Sequence, residues 1–144
     1  MPRYFTLAEA QAVLPSVEER VRRAVALKAA LAEAATELQN ESERVRLSGG
    51  ALVDRRKLLE AISRRDTSAA HLREVLSAIQ EYGCTVKDLD MGLLDFPTLL
   101  RGEEVCLCWK LGEPEIRFWH GTQEGYRGRK PIDDEFLQNH RGDC

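Results

Sequence analysis

At Gly83 the hydrophobic period of this chain changes, and any fold it adopts must respect that change. Before it, Val17, Val21, Ala24, Leu27, Leu31, Ala34, Leu38 and Val45 recur at steps of three and four. That spacing places side chains on one face of a helix. From about Ala51 to Tyr82 the stripe resumes with Leu58, Ile62, Ala69, Leu72, Leu76 and Ile79. Beyond Gly83, Val105, Leu107, Trp109 and Leu111 alternate with Cys106, Cys108 and Lys110. Ile116, Phe118 and His120 alternate in turn with Arg117 and Trp119. A period of two is that of a strand with one face more apolar than the other.

The boundaries follow from local chemistry. Thr6 and Glu9 have capping-box spacing, in which each side chain satisfies an orphan N–H of the other. Pro15 lacks an N–H and predicts a kink, or a short helix followed by a restart. Ser48-Gly49-Gly50 ends the first long stretch. Asp66-Thr67-Ser68 offers a break in the second, and Gly83 suits the left-handed position just past its end. After Gly83, Thr85–Asp90 starts an extended segment that carries Asp88 and Asp90 on the same side. Leu93–Phe96 extends the pattern until Pro97 stops it, and Arg101-Gly102-Glu103 turns the chain. The expected fold is α+β: a long antiparallel helical hairpin of the coiled-coil kind over 6–83, then a small C-terminal antiparallel sheet with loops over 84–132. A polar tail, 133–144, completes a single domain 1–144.

Composition excludes some roles. The net charge is −3, from 21 basic and 24 acidic residues. Up to Gly83 there are 13 basic and 12 acidic residues, and after it 8 and 12. Neither half has the basic excess of a general nucleic-acid binder, so nucleic acid is a disfavoured partner. No apolar run spans a bilayer, and the first residues lack a signal-peptide core. A cytoplasmic location with reduced cysteines is therefore expected.

Four groups could carry chemistry. Asp88, Asp90 and Asp95 with His120 and Glu124 could hold a divalent metal as cofactor or share a proton. The competing reading is that the aspartates cap turns. Cys106 and Cys108 face one side of a strand, with Cys84 and His120 the nearest further ligands for zinc, but the paired Cys-x-x-Cys spacing of zinc sites is absent. The loop from Gly125 to Lys130 offers Arg127 and Arg129 to an anion; equally, they could lock the loop to the acidic group. Glu113 and Glu115 flank Pro114 in a turn and are expected to be exposed. Trp109 aligns with the core residues of its strand. Trp119 lies on the opposite face from Ile116 and Phe118, where it would either wall a ligand site or be covered as a second core residue.

Tyr4-Phe5-Thr6-Leu7, Val86 to Pro97 with its Gly92-Leu93-Leu94-Asp95-Phe96-Pro97 run, Leu107 to Ile116, Trp119-His120 and Gly125 to Ile132 carry a resemblance. Together they resemble a bacterial family known as domain of unknown function 2203. The resemblance implies bacterial origin and a full-length domain, and it gives weight to the segment Lys87–Ile132. It supplies no catalytic residue.

Two functions are expected from these residues. The first is an interaction or scaffold module that self-associates as a homodimer through its helical hairpin, with or without another protein partner. The second is a small-ligand or metal-dependent enzyme. Its corner would be drawn from Asp88, Asp90, Asp95, Trp119, His120, Glu124, Arg127 and Arg129.

Overall fold

Thr6 starts the first helix through reciprocal bonds. Its Oγ1 accepts the Glu9 N–H at 3.1 Å, and Glu9 Oε1 accepts the Thr6 N–H at 2.9 Å. The His140 ring accepts a third orphan donor, Leu7 N–H, at 3.0 Å. The computed structural model describes residues 3–50 and 54–143. In it α1 runs without interruption over Leu7–Leu47, with Pro15 inside. The helix does not stop and restart at Pro15. Pro15 occupies an exposed position, so water can replace the one bond it removes while Leu14, Val17 and Val21 stay buried on the other side.

Gly49 and Gly50, both at positive φ, end α1, and Gly50 N–H reaches back to Val45 O at 2.8 Å. The expected start of the second stretch at Ala51 lies outside the described residues. From Asp54, whose carboxylate caps Lys57 N–H, α2 runs over Arg55–Glu81. It passes through Asp66-Thr67-Ser68 unbroken, because helical backbone bonds outweigh the local caps there. Gly83, at φ +98°, closes it as expected. The two long packed helices and the sheet after them make an α+β chain.

The described residues form two compact units. One joins the chain up to Arg22 with everything from Leu76 onward; the other is Arg23–Val75. In the second unit, Ala24, Ala34 and Ala61 are buried, and Glu37 pairs with Arg64 across the two helices.

The first unit holds the sheet. Its strands are β1 (Thr85–Asp88), β2 (Leu93–Leu100), β3 (Glu103–Lys110), β4 (Phe118–Gly121) and β5 (Lys130–Pro131), paired antiparallel in that order. A last strand, β6 (His140–Arg141), pairs with the far end of β2. Pro97 does not stop β2. It sits between the stretches paired with β1 and β6, and its carbonyl accepts the Phe5 N–H at 2.7 Å. A residue's N and O point the same way in a strand, so the missing N–H falls in that gap and costs no ladder bond to β3.

Alternation sorts the two faces. Leu94, Phe96, Thr98, Val105, Leu107 and Trp109 are buried on one face, together with Phe5, Ala10, Leu14, Val17, Val21 and Ile79. The ring of Phe5 meets Phe96 edge-on at 5.3 Å, and Gln11 accepts Ile116 N–H, so the first turns of α1 lie on this face. The expected polar tail is built into the unit. It forms α3 (Asp134–Asn139), capped by Asp133, and then β6. Phe136 of α3 covers Trp119 at 5.2 Å. Gly142 passes so close to Tyr4 and Thr6 that a Cβ would lie 2.8 Å from Tyr4 O.

Candidate functional site

The other face of the sheet carries polar side chains, and they are buried too. Asp95 on β2, Cys106 on β3 and His120 on β4 come from three adjacent strands. His120 pairs directly with Cys106 in the ladder, while Asp95 pairs with Cys108 one step along. Their exposures are 3% for Asp95, 8% for Cys106 and 4% for His120. They line a cavity of about 330 Å³, walled also by Lys87, Glu104, Cys108 and the loop residues Thr122, Glu124 and Tyr126.

Both ring nitrogens of His120 have partners. Its Nδ1 lies 2.8 Å from Gly121 O. A carbonyl only accepts, so Nδ1 carries a hydrogen, and what the other nitrogen does is set by its own partner. That nitrogen, Nε2, faces Asp95 Oδ1 at 2.9 Å. His140 shows a related arrangement: Nδ1 bonds Leu137 O, and a true donor, Leu7 N–H, faces Nε2. In front of His120 Nε2 there is instead a carboxylate, and at 2.9 Å the two groups share a proton. Asp95 Oδ2 is buried and has no hydrogen-bond partner among the described residues. A group left in that condition costs about 1–3 kcal/mol.

Cys106 completes the cluster. Its Sγ, a carboxylate oxygen of Asp95 and a ring nitrogen of His120 all lie within 4.8 Å of one another. Burial, with the Asp95 charge adding to it, pushes the Cys106 thiol up to about 12. Cys108, on the same face, is pushed to about 11 by burial, and Cys84 likewise to about 11. Cys84 lies apart, its thiol donating to Ile79 O. These three cysteines are free; Cys144 lies outside the described residues.

The residues expected to form the corner are thus divided by the structure. Asp95, His120 and Glu124 line the cavity. Glu124 is engaged as a clamp, accepting Gly121 N–H at 2.8 Å and Lys130 Nζ at 2.7 Å. The Lys130 bond, followed by the Gly121 bond, holds its carboxyl below its ordinary value. Asp88 and Asp90 do not share a strand face: β1 ends at Asp88, which caps Met91 N–H, and Asp90 lies in the exposed turn beyond. Trp119 is on the opposite face of the sheet and walls a different hollow with Phe136, so it is not part of this corner. Arg127 is exposed.

Arg129 is a lock, as one reading of the loop had it, but its partner is not an aspartate. It grips Glu113 through two bonds of 3.0 and 2.8 Å and stacks against Phe118 at 4.0 Å and Tyr126 at 4.3 Å. Glu113 also accepts Lys110 N–H at 2.7 Å, and its carbonyl accepts Trp109 Nε1–H at 3.0 Å. The turn glutamate expected to be exposed is therefore half-buried, tying the loop to the β3–β4 turn. Cys106 is the site residue that spacing alone passed over in favour of a cysteine pair. Its direct signal was the ladder register that sets it opposite His120.

Because the Arg129–Glu113 pair is largely buried, Arg129→Ala is expected to lower unfolding stability by about 2–3 kcal/mol. Arg129→Lys restores little of it, since the planar fork is lost. Arg127→Ala is expected within about 0.5 kcal/mol of the parent. Urea unfolding of the three variants checks the ranking, and equal effects at 127 and 129 contradict it.

The chain belongs to the family described as uncharacterized conserved protein (DUF2203), which matches residues 3–132. No curated protein and no solved structure matches it.

Proposed function

Because membership of this family brings no activity with it, we propose a function from the site itself: the protein binds a small polar ligand in the cavity over β2, β3 and β4, in the manner of a small-ligand enzyme. The observation that carries this reading is the unpartnered Asp95 Oδ2, buried at the cavity floor beside His120. A ligand O–H or N–H, or a bound cation, supplies what this oxygen lacks. The volume suits a small metabolite. Glu104 at the rim is held by Tyr4 O–H at 2.9 Å and Glu124 by Lys130, so the wall is organised before a ligand arrives.

The test is a ¹⁵N–¹H spectrum of metal-stripped protein with a set of small diols, amino alcohols and carboxylic acids. Members of the set are expected to move the signals of Cys106, Gly121, Thr122 and Glu124, and Asp95→Asn is expected to abolish the response. Cavity signals that stay still throughout, or that move equally in Asp95→Asn, contradict the reading.

A second reading is self-association of the helical pair as a homodimer, in coiled-coil fashion. It rests on the exposed leucines of the second unit, Leu47 at 77% and Leu59 at 64%. Sedimentation at micromolar concentration is expected to give a dimer that Leu59→Glu converts to monomer; a monomeric parent removes this reading. Either role suits a bacterial cytosolic protein, a setting in which the buried free thiols of Cys84, Cys106 and Cys108 stay reduced. No described helix is long and apolar enough to cross a membrane.

A further inference from the structure

We infer that Asp95, Cys106 and His120 form a binding site for one divalent transition-metal ion of the zinc type, with its open coordination position facing the cavity. The inference deepens the small-ligand reading above and rests on it, since it names what the cavity floor holds.

Four observations converge. The three potential donor atoms, one O, one S and one N, lie within 4.8 Å of one another and belong to residues all more than nine-tenths buried. Around a tetrahedral zinc ion with bonds of about 2.0–2.3 Å, ligand atoms stand roughly 3.3–3.8 Å apart, so the cluster needs only small rotamer shifts to close on an ion. His120 Nδ1 is held by Gly121 O, which leaves Nε2 as the ring atom turned toward Asp95 at 2.9 Å. Asp95 Oδ2 has no partner of its own among the described residues.

The surroundings fit ligation. Metal-bound imidazoles are oriented by a bond from the other ring nitrogen, and His120 Nδ1–H already donates to Gly121 O. Gly121 is held in turn by Glu124, and Glu124 by Lys130. A sulfur and an imidazole nitrogen select a transition metal over magnesium or calcium. Three protein ligands with one position left over is the arrangement of reactive zinc sites; structural sites are closed by four. Cys108 is not part of the donor group; its sulfur lies 3.9 Å from the Arg129 guanidinium. On binding, the Cys106 S–H proton and the proton shared by Asp95 and His120 pass to solvent as the sulfur becomes a thiolate ligand.

Cobalt(II) is the probe, added to metal-stripped protein and followed by absorption. The expected result is saturation at one ion per chain, with a thiolate-to-cobalt band in the near ultraviolet and intense visible bands of low coordination number. Cys106→Ser is expected to remove the ultraviolet band, and Cys84→Ser to leave it. His120→Gln and Asp95→Asn are each expected to weaken binding by at least about a hundredfold, the upper end of what loss of an outer-shell partner costs. A parent protein without the ultraviolet band overturns the inference, whatever the variants do, and so does a band that survives Cys106→Ser. If the band is missing while the organic set still moves the cavity signals, the metal is wrong and the small-ligand reading stands. If both are missing, both fall.

Discussion

The alternation along β3 is the constraint on which the first unit depends. Val105, Leu107 and Trp109 point into the core, while Cys106 and Cys108 point into the cavity. A slip of one residue in the pairing with β2 or β4 would turn Trp109 out of the core and bring Cys106 into it. Such a slip would expose the largest side chain of the core, so burial of Trp109 and Leu107 sets the register. The same register sets His120 opposite Cys106 and Asp95 opposite Cys108. The polar cluster is thus held in place by an apolar core on the other side of the same strands. That arrangement lets three groups that each lose hydration on burial remain together.

The pieces around the cluster act as fasteners. The two-bond grip of Arg129 on Glu113 fixes the loop to the β3–β4 turn, and Glu124 with Lys130 fixes the start of that loop next to His120. The C-terminal segment fastens the other end: β6 extends β2, and His140 accepts an N–H from the first turn of α1. Several of the charged residues near the cavity are therefore committed to shape. The buried side-chain oxygen left without a partner among the described residues is Asp95 Oδ2, in the cluster with Cys106 and His120.

Local chemistry made much of this legible. The Thr6–Glu9 cap, the glycines that end α1 and α2, and the change of period at Gly83 each act within a few residues, and each predicts the element found. The faces of β3 followed for the same reason, down to Trp109 in the core, but on β4 Trp119 shares the core face with Leu107, and Phe118 and His120 share the face of Cys106 and Cys108. Pro97 misled because its effect depends on which neighbour its N faces, and that is set by Phe5, far away in the chain. Pro15 misled because an exposed helix position tolerates a missing bond. Only half of the cluster is legible in the sequence: residue type groups Asp95 with His120, but Cys106 pairs by spacing with Cys108. Its partners lie on neighbouring strands, and only the ladder brings them close. Asp88, Asp90 and Trp119 lie near Asp95 and His120 in sequence, although a turn and the opposite sheet face separate them in the fold.

The central claim is that His120 offers Nε2 into a floor it shares with Asp95 and Cys106, while Nδ1 is permanently spoken for by Gly121. Long-range ¹H–¹⁵N correlation of the His120 ring during addition of zinc tests it most directly. The account predicts that Nδ1 keeps its hydrogen throughout and that the Nε2 resonance moves on zinc binding. A ring whose Nδ1 takes the metal, or whose two nitrogens both ignore it at saturating zinc, would contradict the account.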